Sequence, residues 1–347
     1  MISTLERVCV ERTRLGWPDA VDALLRSQPE VLAGHQHLNQ AKRLSSLACR
    51  VLALDAEDFG ELATQYAHYA WSDDLVAASF PAEPRAAERG ALGLLVPLFE
   101  LMLEICQIRT MRGETQDLVV TLHLMAEYVA QLAWEPVLGH GGDPLRLGEF
   151  VGGRFGSNDT SCPHSSAMRA TARRALNACH GDVPGYVRYL DKFHSRLGDA
   201  MAECALNHET ISAGERPDVA DTCPRPCSWV LDWGTLEQRR ALDARLRLAL
   251  IFVESPVIAL RHHAPVGHFF GVPSVAEISD GWLRTWQRLT QQWSDGSNPL
   301  VGRTSDDTEE ALPGLALLMS TIADQPIRTG TLLRRIGGDL IAELERD

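Results

Sequence analysis

Residues 235–263 read TLEQRRALDARLRLALIFVESPVIALRHH. The apolar residues Leu242, Leu246, Ala249, Val253, Val257 and Leu260 are spaced 4, 3, 4, 4 and 3 apart. That spacing repeats with the turn of an α-helix and predicts one long amphipathic helix. Pro265 cannot continue it, and the residue before a proline is pushed out of the helical region. His262 therefore falls in the last turn, spaced 4, 3 and 4 from Ile258, Ser255 and Ile251.

Outward from this segment the same period recurs, and alternation with period two is scarce. The run 85–113 reads as a helix begun after Pro84, kinked at Pro97 and stopped at Gly113. A second run, 114–135, ends at Pro136, and further helices are expected at 165–179, 184–206, 275–293, 313–323 and 331–346. The N-terminal part also reads as helical, with Pro18 opening a helix where its missing donor costs nothing. The fold class expected is all-α, a helical bundle of about ten helices with long Gly/Pro-rich loops. Those loops are 136–163, 207–233 and the polar, exposed 294–312. Loops this long in a compact domain usually cover a site. The chain is taken as a single helical domain over 1–347. Within it, 1–80 is a possible N-terminal extension and 84–347 the core, with a boundary near Ser79–Pro84.

Composition narrows the function. The 347 residues carry 33 basic against 46 acidic side chains, a net charge of −13. Such a chain repels phosphate backbones, so nucleic acid is not an expected partner. No apolar run approaches the ~20 residues of a membrane helix, and the N-terminus lacks the apolar stretch of a signal peptide. A soluble, cytoplasmic protein is expected. Lys42 and Lys192 are the only lysines, an arginine bias that points to a GC-rich bacterial source. The eight cysteines, Cys9, Cys49, Cys106, Cys162, Cys179, Cys204, Cys223 and Cys227, read mostly as free core thiols.

Several motifs are absent: no GxGxxG follows a strand, and no phosphate loop, HExxH or G-x-S-x-G is present. Cys223 and Cys227 in CPRPC lack a second pair for zinc and read as loop thiols. His35 and His37 diverge by roughly 200° if both lie on one helix, so they cannot chelate one ion there. His123 reads as a satisfied core histidine. Asp73 and Asp74, in Trp71-Ser72-Asp73-Asp74, look like the acidic motif of terpene cyclases, which binds magnesium. The second half of that motif is missing from NHETISAGE, 207–215.

The densest constellation is Arg261-His262-His263-Ala264-Pro265-Val266-Gly267-His268-Phe269-Phe270-Gly271. A histidine leaving an apolar stripe at a helix end suits a metal or heme, since the carboxyl end of the helix is partly negative. Gly267 gives a pliable backbone, and Phe269 and Phe270 offer flat rings suited to a porphyrin. A His-His pair that merely caps a helix is the competing reading.

This segment resembles the heme-binding motif of heme-dependent aromatic oxygenases related to tryptophan 2,3-dioxygenase. It is most like the histidine-ligated hydroxylases that act on tyrosine or 3-methyltyrosine in natural-product biosynthesis. His262 matches the axial-ligand position, Gly267-His268-Phe269 the segment after it, and Gly271 and Ser274 the positions beyond. One branch bonds heme through a cysteine four residues after the ligand; here that residue is Val266. The resemblance implies an all-helical fold and heme b held without a covalent bond. It implies O2 or H2O2 as oxidant, an aromatic amino acid or derivative as substrate, and a possible homodimer. Weaker likeness runs from about His194 to Ser274, and none is visible in the first ~130 residues.

The substrate contacts are expectations from chemistry. A free amino acid needs a cation for its carboxylate, and arginine binds it with a fork. Arg154 lies in the Gly-rich GGRFGSND loop, and Arg173 and Arg174 on the next predicted helix. His194 or His164 is a candidate acid or base, with His194 and Arg173 the preferred catalytic pair. Trp229, Trp233 and Phe270 are candidates to stack on an aromatic ring, and Ser274 is a candidate substrate contact. Two other functions stay open: a terpene-cyclase-like lyase using Asp73 and Asp74 with magnesium, and a helical binding protein without catalysis.

Overall fold

Proline opens several of the helices of this chain, among them those at Pro18, Pro29 and Pro256. The computed structural model describes residues 4–80, 94–138, 236–263, 271–304 and 310–346. In chain order the helices are α1 (Thr4–Arg14), α2 (Pro18–Arg26), α3 (Pro29–Leu32), α4 (Gln36–Leu52), α5 (Phe59–Gln65) and α6 (Ser72–Ala77). They continue with α7 (Val96–Arg112), α8 (Thr115–Leu138), α9 (Leu236–Val253) and α10 (Pro256–Ala259). The last three are α11 (Val275–Leu289), α12 (Leu315–Ala323) and α13 (Leu332–Leu344). Two 3-10 turns, Ala56–Asp58 and Leu260–His263, complete the set. Every regular element among the described residues is helical, so the protein is all-α. Among the described residues no helix is long and apolar enough to cross a membrane. The helices expected at 165–179 and 184–206, and most of the loops 136–163 and 207–233, lie outside the described residues.

Pro18 sits in the first turn of α2, and Gly113, at φ +69°, separates α7 from α8. That left-handed φ is one glycine adopts readily. At three prolines the structure differs from the sequence reading. Pro97 lies in the first turn of α7, where proline is tolerated, so it makes no kink. Helix α8 runs through Pro136 and ends two residues later, at Leu138. The predicted helix 235–263 is broken: Ser255 is extended at φ −83° and ψ 157°, and Pro256 opens α10. The cause is Pro256 itself, which pushes its predecessor out of the helical region.

The backbone divides into two units, one of Met1–Ala82, Val96–Leu118 and Arg328–Asp347, the other of Glu83–Leu95 and Val119–Ile327. In the first unit α13 packs on α4 and α1. The buried face of α4 (Leu38, Ala41, Leu44, Ala48, Val51) meets that of α13 (Leu332, Ile336, Leu340, Leu344) in one core. The N-terminal stretch thus shares its core with the C-terminal helix. Trp71 is 2% exposed, and its indole N–H donates to Asp339 of α13 at 2.7 Å. Glu104 of α7 reaches the N-terminus of α13, where its carboxylate accepts the N–H groups of Leu333 at 3.0 Å and Arg334 at 2.9 Å. Those donors have no partner inside the helix, and a carboxylate there meets the positive end of its dipole.

In the second unit α9 packs against α11 and α12, and α10 against α11. Leu242, Leu246, Ala249 and Phe252 of α9 are buried, as are Ile278, Trp282 and Leu289 of α11. The stretch 294–304 is not wholly exposed as expected. Leu300 is buried, and the Asn298 amide donates to the carbonyls of Leu289 at 2.8 Å and Gln291 at 2.7 Å.

Candidate functional site

The break at Ser255 detaches a short arm from α9: α10 followed by the 3-10 turn Leu260–His263. The arm lies tight on α11, because a β-carbon at Gly281 would stand 3.3 Å from the Cα of Val257. Val257 and Ile258 are buried, and Arg261 turns to α8, where its guanidinium donates to Nε2 of His123. Glu127 adds a negative charge, its carboxylate oxygen 3.1 Å from the same nitrogen. Nε2 of His123 thus stands between a guanidinium, which can only donate, and a carboxylate, which accepts. The other ring nitrogen, Nδ1, is buried without a hydrogen-bond partner among the described residues. The expectation of a satisfied core histidine is therefore met on one nitrogen only.

His262 is exposed, one residue before the end of the 3-10 turn. The stripe expected to carry it does not exist. Ile251 lies on α9, Ser255 in the break, Ile258 on α10 and His262 on the 3-10 turn. An axial imidazole needs access for the metal and apolar walls beside the macrocycle. Access is present. Gly267, His268, Phe269 and Phe270, expected to supply those walls, lie outside the described residues.

Arg154, His164, Arg173, Arg174, His194, Trp229, Trp233, Cys223 and Cys227 also lie outside the described residues. Ser274 is the N-cap of α11. Its hydroxyl accepts the Glu277 N–H at 3.2 Å, and Glu277 Oε2 accepts the Ser274 N–H at 2.8 Å. This reciprocal pair satisfies helix-end donors and gives Ser274 a structural task. Asp73 and Asp74 stand in the first turn of the six-residue α6, and Asp74 is ion-paired with Arg335. His35 lies just before α4 rather than on it, which brings its ring edge-on to His37 at 5.5 Å. No cluster of three or more His, Cys, Asp or Glu placed to hold a metal occurs among the described residues. Cys9 and Cys106 are buried free thiols, and burial pushes Cys106 up to about 12.

Two features escaped the sequence reading. The first unit holds a cavity of about 350 Å³ lined by Ile108, Met111, Leu333, Leu340, Gly337 and Gly338, with Glu104 on its wall. Burial raises the pKa of Glu104. The sequence signal was Gly337-Gly338 inside a helical run, an unfavourable place for glycine. The second unit holds a cleft lined by three arginines, of which Arg245 is buried. Its signal was an arginine three residues after Leu242, on the apolar side of α9.

No protein-family model matches the chain, and neither a curated protein nor a solved structure matches it.

Proposed function

We propose that the chain is a heme-binding oxidoreductase with His262 as axial ligand. The observation that carries the reading is the placement of His262: exposed, next to Arg261, on a turn that follows the buried Val257 and Ile258. Val257 and Ile258 pack inward, Gly281 lets the arm seat closely, and Arg261 ties it to His123. The imidazole is thus offered on a held backbone, at a carboxyl end whose carbonyls favour a positive centre. A bound heme supplies activation of O2 or H2O2. The chain's share would be to hold the ring, whose other nitrogen needs an acceptor to fix its orientation.

An aromatic amino acid as substrate follows from the sequence likeness at 262–274 alone. In this reading Arg154 holds the carboxylate, and His194 and Arg173 act at the reacting ring, with Trp233 stacked on it.

The test is spectroscopic. Full-length protein purified with heme should show a Soret band, and His262→Ala should abolish or greatly shift it. A wild-type protein without the band, or a band lost in His263→Ala or His268→Ala but kept in His262→Ala, overturns the assignment.

The cavity of the first unit favours a second reading, a helical binding protein without catalysis. Its volume, about 350 Å³, lies within the range of small-molecule sites. A colourless protein that binds apolar small molecules, and loses them on Gly338→Leu, would support it.

A further inference from the structure

Arg245 projects from α9 with only 6% of its surface exposed. Its Nε and Nη1 find no hydrogen-bond partner among the described residues. One carboxylate oxygen approaches, Asp324 Oδ2 at 3.2 Å from Nη1, on a side chain that is itself 67% exposed. Burial draws the pKa of Arg245 down, and Asp324 offsets this only in part. A guanidinium has five donors and keeps its charge, so a buried one whose donors are unmatched among the described residues favours a further acceptor.

Arg245 lines a cleft of about 530 Å³ between α9, α12 and the turn at 297–303. Arg303 lines the same cleft, is exposed, and makes no ion pair among the described residues. Arg240 adds a third positive charge, against Glu237 and Asp324. The hydroxyls on the lining are already engaged: Ser320 and Thr321 with carbonyls of α12, Ser297 with Asp295. Ala241, Ala244 and Leu317 supply an apolar strip beside the arginines.

We infer that this cleft binds a small phosphate monoester, its phosphoryl oxygens on Arg245 and Arg303 and its organic part on the apolar strip. A dianion with several outward oxygens matches guanidinium groups from two elements lining one cleft. A long polyanion does not fit, because the chain's net charge of −13 opposes it. The site is independent of His262.

Isothermal titration of the full-length chain with glycerol phosphate tests this, with inorganic phosphate and glycerol alone as comparisons. Saturable binding is expected for the monoester, weaker binding for inorganic phosphate, and none for glycerol. Arg245→Met should weaken the monoester about tenfold or more, and Arg303→Gln severalfold. Asp324→Asn, which removes a competing negative charge, should tighten it. Should Arg245→Met fail to fold by circular dichroism, the other two variants decide. No saturable binding by the wild type, or equal affinity for inorganic phosphate and the monoester, overturns the inference. So does binding that Arg303→Gln and Asp324→Asn leave unchanged.

Discussion

A β-carbon placed on Gly314 would stand 2.5 Å from Cη2 of Trp286. Gly314 is the residue before α12 and holds φ at +90°, a region that side-chain-bearing residues rarely enter. The indole of Trp282 holds the same corner, donating to the Pro313 carbonyl at 3.0 Å. Gly314→Ala therefore carries both a clash and backbone strain, and should cost about 2–4 kcal/mol in urea unfolding. Adding Trp286→Leu to that variant should relieve the clash but not the strain. A cost within about 0.5 kcal/mol of wild type would place this corner among ordinary surface sites.

Ser274 and Glu277 separate two roles by experiment. As half of a capping box, Ser274→Ala should lower stability by about 1 kcal/mol, and Ser274→Asp should restore it. A substrate-contacting serine would behave otherwise: stability unchanged in the alanine variant, with KM raised for whichever aromatic substrate is turned over. Urea melts of the three proteins decide.

What the sequence made readable was local. Pro18, Gly113 and the start of α13 lie within two residues of where propensity and punctuation put them. Pro256 was as visible, but apolar residues continue at helical spacing on both sides of it, and the stripe hid the break. His262 lost its supporting stripe for that reason. Arg245 was hidden by the opposite bias, since arginine is almost never buried unless paired. Ser274-x-x-Glu277 was a legible cap signature that the likeness to a heme motif overshadowed. The bond from Glu104 to Leu333 joins residues 229 positions apart, and nothing local announces it.

Glu135 gives the chain a dependence on pH whose direction follows from its burial. It is 4% exposed on α8; Oε1 accepts the N–H of Leu95, and Oε2 is buried without a partner among the described residues. Burial, offset in part by that one hydrogen bond, raises its pKa from 4.5 to about 7. A carboxyl whose folded pKa exceeds its unfolded one holds its proton more tightly when folded. Its contribution is therefore fully present below the unfolded pKa, and is lost as pH rises through the window from about 4.5 to about 7. The loss is on the order of 3 kcal/mol for a rise of this size. Glu135→Gln keeps an acceptor for Leu95 and stays neutral throughout. The variant should match wild type closely near pH 5 and exceed it at pH 8, by up to that amount, in paired urea melts. An equal gap at both pH values would remove Glu135 as the titrating group.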